Sequence, residues 1–300
     1  MACRRATHAG SWYTDDPDEL SAELDAWLEE AAAKVPRSNP EHARAIIAPH
    51  AGYRYSGRCA AYAFSQIDPT KVKRIFLLGP SHHYYTRRCA LSNLAAYRTP
   101  LGDITIDATI YAELRATGEF EEMTSQVDEA EHSMEMHLPY IYKVFAGRPF
   151  TLVPILVGSI SADTEERYGR LLSRYFDDPQ NFFCISSDFC HWGQRFSYTY
   201  YDKKLGPIYK SIEALDRDGM DVIETGDPAS FTAYLQQYEN TICGRHPIGV
   251  LLHALQHSRT KMQIRFTQYE QSSRCKTMRD SSVSYASAVA VPSNLGKPTA

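Results

Sequence analysis

The sequence predicts a single α/β domain, with a central mixed or parallel sheet flanked by helices. Three observations predict it. Short apolar runs, Ile46-Ile47-Ala48, Ile75–Leu78 and Phe182–Ile185, stop abruptly at Gly, Pro or Ser. Runs of that length, rich in β-branched and aromatic residues, read as buried strands. Segments of helical periodicity alternate with them, the order of strand–helix–strand units. No stretch rich in Gly, Ser or Pro divides the 300 residues, and no long-period repeat recurs, so residues 1–300 read as one domain.

Taken in order, the elements are these. The block His8-Ala9-Gly10-Ser11-Trp12-Tyr13 is aromatic and expected to pack. Asp16–Ala33 reads as a helix with Leu20, Leu24, Trp27 and Leu28 on one face. Lys34–His42 is a polar loop. A strand at Ala43–Ala48, a helix at Gly57–Ile67 and a strand at Arg74–Leu78 form a unit whose parallel crossover should be right-handed. Asp107 caps a helix running to Thr117. Glu135–Ala146 is helical, with Pro139 tolerated near its start. A strand (Phe150–Val157), a helix (Thr164–Phe176) and a strand (Phe182–Ile185) follow. Helices are expected at Asp202–Asp218, Asp227–Tyr238 and Pro247–Gln256, then closing strands at Gln263–Tyr269 and Ser282–Val291. Pro292–Ala300 reads as a loose tail.

Composition narrows the function classes. Hydrophobic residues make up 43% and charged residues 23%, ordinary for a globular chain. Net charge is −4, and Lys203-Lys204 and Arg87-Arg88 are isolated pairs, so nucleic acid binding has no footprint in the sequence. No apolar stretch approaches the roughly 20 residues of a membrane span. The N-terminus lacks an apolar region of the secretory kind. Seven scattered cysteines argue against a disulfide framework and for a reducing compartment, the cytoplasm, with the nucleus as an alternative. No GxSxG elbow, Walker A loop or GxGxxG fingerprint follows a strand, which disfavours serine hydrolases, P-loop enzymes and Rossmann dehydrogenases.

What remains is a pattern at the strand ends. The three runs continue into Pro49-His50, into Pro80-Ser81-His82-His83 and into Asp188-Phe189-Cys190-His191. In open α/β sheets, sites form beyond the carboxyl ends of strands. His50, His82 and His191 are therefore ligand candidates, because imidazole nitrogens converge there from three strands. Asp188 is either a ligand, a carboxylate that orients a histidine, or a loop cap. Cys243, followed by Gly244, Arg245 and a helix, is a nucleophile, a soft metal ligand or a small buried hydrophobe. Cys59, Cys89, Cys184 and Cys275 read as buried hydrophobes. His132 and Glu135 sit three apart in Glu131–His137 and read as pocket wall or second-layer support rather than primary ligands. His83 and Arg245 are assigned to the same surroundings.

These blocks, in this order, resemble the Memo family, named for an animal member that mediates cell motility. The resemblance runs nearly end to end, from His8–Tyr13 through Ile46–Tyr53, Leu78–His83, Glu131–Tyr140, Ser186–Phe196 and Asn240–Val250 to Asp280–Ala286. It implies a fold similar to class III extradiol non-haem iron dioxygenases. It implies a metal pocket in which His50, His82 and Cys243 match ligand positions and Asp188 and His191 match lining positions. It further implies iron(II) or copper(I), with zinc as another candidate, and a redox role tied to motility signalling. In that role His191 is the acid/base group and Asp188 its orienter. The alternative it implies is a non-catalytic module on that fold for phosphotyrosine peptides of signalling proteins or for a small ligand. The dioxygenases use two histidines and a carboxylate. Cys243 in the third position is softer, so ring cleavage is not carried over with the fold.

Overall fold

Strands that carry no exposed face must be covered on both sides, and four short runs here do so. The computed structural model describes residues 2–37 and 42–293. In chain order these form β1 (Cys3–Arg4), α1 (Pro17–Lys34), β2 (Ala45–Ala48), α2 (Tyr53–Phe64), β3 (Arg74–Pro80), β4 (Cys89–Ser92), β5 (Ala96–Thr99), β6 (Gly102–Thr105) and α3 (Ala108–Ala116). Then come β7 (Phe120–Met123), α4 (Ser125–Ala130), α5 (Leu138–Val144), β8 (Thr151–Val157), α6 (Ala162–Phe176), β9 (Asn181–Ser186) and β10 (His191–Trp192). The chain closes with α7 (Ile208–Glu224), α8 (Pro228–Tyr238), α9 (Arg245–His257), β11 (Met262–Gln271) and β12 (Ser282–Pro292).

The main sheet is mixed and runs β10-β12-β2-β9-β3-β8-β4-β7, with β11 on β12. Its centre, β2, β9, β3 and β8, is parallel and almost wholly buried. Antiparallel β12 and β4 flank that centre. A second small sheet, β1-β5-β6, ties the N-terminus down. Helices α6 and α9 pack together and against β3 and β9, while α1, α2 and α5 form a group against β2 and β12. Aromatic pairs join the layers: Phe76 and Phe183 stack at 4.6 Å, with Tyr175 and Phe176 of α6 beside them. Among the described residues, no helix is long and apolar enough to cross a membrane.

The expected α/β order holds, and the departures have local causes. The helix expected from Gly57 begins at Tyr53, whose ring is buried against Tyr13 and Tyr140. The helix expected from Asp202 breaks, because Gly206 takes φ +92° and Pro207 offers no N–H. One 3-10 turn covers Lys203–Leu205, and α7 runs on to Glu224. Glu135–His137 is likewise a 3-10 turn that feeds α5, where Pro139 sits in the first turn. The short strands β1, β4–β7 and β10 went unread, being too brief to show a period. Pro292 ends β12, and 294–300 of the expected tail lie outside the described residues, as do 38–41 of the expected loop.

Candidate metal centre

Register makes the site. β9 lies between β2 and β3, parallel to both, with Ala48 paired to Ser186 and Leu78 to Ile185. The three strands therefore end at one edge. His50, Asp188 and His82 each lie two residues past the last residue of β2, β9 and β3. The segment carrying His132 crosses close over the end of β3. A Cβ at Gly79 would lie 2.6 Å from the Ser133 hydroxyl, so only glycine admits that approach.

Hydrogen bonds hold the His50 and His82 imidazoles by one nitrogen each. The Ser186 hydroxyl donates to the Ser133 carbonyl at 2.7 Å. Its oxygen is thereby left to accept from His50 Nδ1, also at 2.7 Å. A histidine protonated on Nδ1 keeps its Nε2 lone pair bare. His82 is clamped by Glu131, whose carboxylate accepts both its backbone N–H at 2.6 Å and its Nδ1–H at 2.8 Å. The Ser133 N–H also donates to Glu131, at 3.0 Å. His132 is positioned by stacking instead: its ring lies 4.3 Å from that of His82 and 4.4 Å from that of Trp12. One ring nitrogen from each of His50, His82 and His132 lies within 4.8 Å of the others.

Cys243 joins them from the loop before α9. Its Sγ is 3.2 Å from His50 Nε2. Gly244 permits this, since a Cβ there would stand 2.3 Å from Ser187 Cβ and 2.5 Å from the Ser186 carbonyl. Asp188 receives the His50 backbone N–H at 2.8 Å and approaches His50 Nε2 to 3.9 Å. The Asp188 N–H donates to Cys243 Sγ at 3.3 Å. His191 lines the same cavity, of about 1110 Å³. Backbone carbonyls of Phe189 and Thr241 hold His191 Nδ1, at 2.8 and 2.9 Å, and Asp188 takes no part in orienting it.

Burial sets the charge states. It holds His50 well below the ordinary imidazole value, and His82 and His132 reinforce the effect. Burial and then His82 bring His132 down to about 3. Burial pushes the Cys243 thiol and the Asp188 carboxyl up. Burial also opposes charge on Glu131, but the His82 ring outweighs it and holds Glu131 at about 2. His82 moves the other way: burial is overcome by the Cys243 sulfur and by Glu131, and its pKa rises.

Other expected residues stand elsewhere. Glu135 is buried outside the cavity lining and gathers Arg4, the His8 ring and backbone, and the Tyr13 hydroxyl. It thus fastens the His8–Tyr13 segment, whose Trp12 stacks on His132. Arg245 is exposed at the start of α9 and does not line the cavity. His83 is exposed, its ring 6.0 Å from that of His132. The expectation that His132 is wall rather than ligand differs from its grouping with His50 and His82. Sequence reading missed Ser186 and Glu131, although both lie inside the blocks it singled out. Arg54, Arg195 and Phe196, which line the cavity, were also missed.

The donor set fits a transition metal. Three imidazoles and one sulfur suit iron, copper or zinc, and the partners on Nδ1 are the oxygens that usually orient metal-bound histidines.

Residues 4–289 match the family model described as Memo-like protein. Protein MEMO1 of Rattus norvegicus is 55% identical over 291 residues, covering 95% of this chain and 96% of that one. Protein MEMO1 of Homo sapiens matches at the same 55% and the same coverage. Protein memo-1 homolog of Caenorhabditis elegans is 47% identical, covering 95% of this chain and 82% of its own. Among solved structures, the crystal structure of uncharacterized protein JW3007 from Escherichia coli K12 covers 81% of this chain and 99% of that one. It does so at 12% identity and a TM-score of 0.38.

Proposed function

This chain belongs to the Memo family, and from that premise we propose that it is a metal-binding protein whose centre takes iron(II) or copper(I). His50 and His82 are the primary ligands, and His132 and Cys243 compete for the third position. The observation that carries the reading is the hydrogen-bond polarity around His50 and His82. Ser186 and Glu131 occupy the Nδ1 atoms, so both Nε2 atoms are directed to one place. A metal bound there supplies one-electron redox chemistry or activation of a small ligand, the redox role tied to motility signalling that the family resemblance implies. Zinc is the redox-silent occupant of the same donors.

The chain's own residues do the rest. Trp12 stacks on His132 and shields it. His191, fixed by two carbonyls, turns its other nitrogen to the cavity as proton donor or acceptor. Asp188 holds the His50 backbone and the approach of Cys243. Anaerobic titration with iron(II), copper(I) and zinc tests the reading on wild type and on His50→Ala, His82→Ala, His132→Ala and Cys243→Ser. Loss of tight binding in the first two supports it, and the last two identify the third ligand. Unchanged affinity in His50→Ala and His82→Ala would overturn it.

A second reading is a non-catalytic module for phosphotyrosine peptides. Arg54 and Arg195 on the cavity wall favour it, replacing Arg245 as the donors to an anion. Calorimetry with phosphopeptides, with and without chelator, separates the two.

A further inference from the structure

The pair Lys203-Lys204 looks isolated in sequence, but the fold surrounds it with other cations. The Cys275 carbonyl accepts the Tyr209 N–H at 3.0 Å, which seats the loop between β11 and β12 against the start of α7. Arg274 and Lys210 both lie over the Tyr209 ring, at 5.6 and 5.8 Å. The Lys203–Leu205 turn immediately precedes this point, and its Gly206 N–H closes onto the Lys203 carbonyl. The two segments that meet there carry Lys203, Lys204, Lys210, Arg274, Lys276 and Arg279, all exposed.

Three carboxylates stand near them. Asp280 is engaged with the backbone N–H groups of Lys276 and Thr277, Asp202 with that of Lys204, and Glu213 with Lys210 and Arg217. Among the described residues, Lys203, Lys204, Arg274, Lys276 and Arg279 form no ion pair. This is a local reversal of charge in a chain of net charge −4. The same segments carry Leu205, 47% exposed, and Met278, 44% exposed. The other exposed large hydrophobic side chains described are tyrosines.

We propose that this face docks on an anionic lipid surface, with Lys203, Lys204 and the Arg274–Arg279 loop on the headgroups and Leu205 and Met278 inserted between them. Unpaired cations around protruding aliphatic side chains are complementary to a charged interface with an apolar layer beneath it. A nucleic acid would meet the cations but gain little from a leucine and a methionine, since it is read by stacking and hydrogen bonds. The docking loop is continuous with the cavity wall, to which it contributes Ser272, Ser273, Ser281 and Ser282. Docking therefore sets the cavity beside the lipid surface.

The test is sedimentation of the full chain with vesicles of phosphatidylcholine alone, or of phosphatidylcholine and phosphatidylserine in equal parts. Wild type should bind the second and not the first, and high salt should release it. Lys203→Gln/Lys204→Gln/Lys276→Gln should lower partitioning about 100-fold, at about fivefold per lysine. Leu205→Asn/Met278→Asn should weaken it with the charge intact. These are surface changes, and an unaltered melting temperature shows the fold retained. Equal binding to both vesicles, or wild-type binding by the lysine variant, would overturn the proposal. So would tight binding to a DNA oligonucleotide that the Leu205/Met278 variant retains alongside undiminished vesicle binding.

Discussion

Replacing Glu131 by Gln isolates the orienting carboxylate of the proposed centre. Glu131 is 2% exposed and makes three bonds, to His82 Nδ1, the His82 N–H and the Ser133 N–H. A glutamine keeps the shape but has one accepting oxygen. If that oxygen stays on the backbone N–H of His82, the amide NH2 faces His82 Nδ1. The ring must then give up the Nδ1 proton and hold its hydrogen on Nε2, where the ligand lone pair is needed. Loss of such a partner costs about 10- to 100-fold in metal affinity, or about 1.4–2.8 kcal/mol. Loss of a buried hydrogen bond to a charged group costs about 1.5–3 kcal/mol of stability. The assay is anaerobic competition for iron(II) or zinc against a chromophoric chelator, with thermal melts alongside. Because Glu131 raises the ring's affinity for protons as well as metal, the deficit should widen with rising pH. An affinity within twofold of wild type at every pH, in a folded variant, refutes the reasoning.

Three further outcomes are expected. Burial brings His137 down to about 4, and its Nε2–H donates to the Ala48 carbonyl at 3.1 Å. A histidine whose folded pKa is depressed contributes full stability above its unfolded value near 6.5 and loses it as pH falls toward 4. Melts should therefore show this loss at about 1.4 kcal/mol per pH unit, with a shallower slope in His137→Gln. Arg4→Met should destabilise the chain by about 3–5 kcal/mol, because it strands Asp128 and Glu135, which Arg4 bonds at 3.0 and 2.7 Å. Chemical denaturation measures it, and a loss under 1 kcal/mol would contradict the buried network. Gly244→Ala places a Cβ 2.3 Å from Ser187 Cβ. It should cost about 1–3 kcal/mol by overpacking and should increase Cys243 alkylation by a thiol reagent, and unchanged labelling would count against the close approach.

Much of the fold was legible because it depends on local patterns. The four buried central strands are continuous apolar runs, and several helices carry caps such as Asp16, Asp107 and Asp227 that sit where their side chains accept from the first turn. Apart from β2, the strands of two to four residues left no period to read. The candidate site was legible where ligand-type residues follow strand ends, as His50, His82 and Asp188 do. Arg245 and His83 share those blocks yet point to solvent, since neighbours in sequence need not share a direction.

By itself, then, the sequence determined the α/β class, the family resemblance and the residue types gathered at three strand ends, all of which follow from period and order along the chain. Tertiary structure alone decided that β9 inserts between β2 and β3, because strand order depends on packing between distant segments. It alone brought Glu131 onto His82, Ser186 onto His50 and the Asn240–Gly244 loop onto Asp188, contacts that span 49 to 136 residues of chain. Such contacts follow from where buried strands bring their ends together, a property no local window of sequence contains.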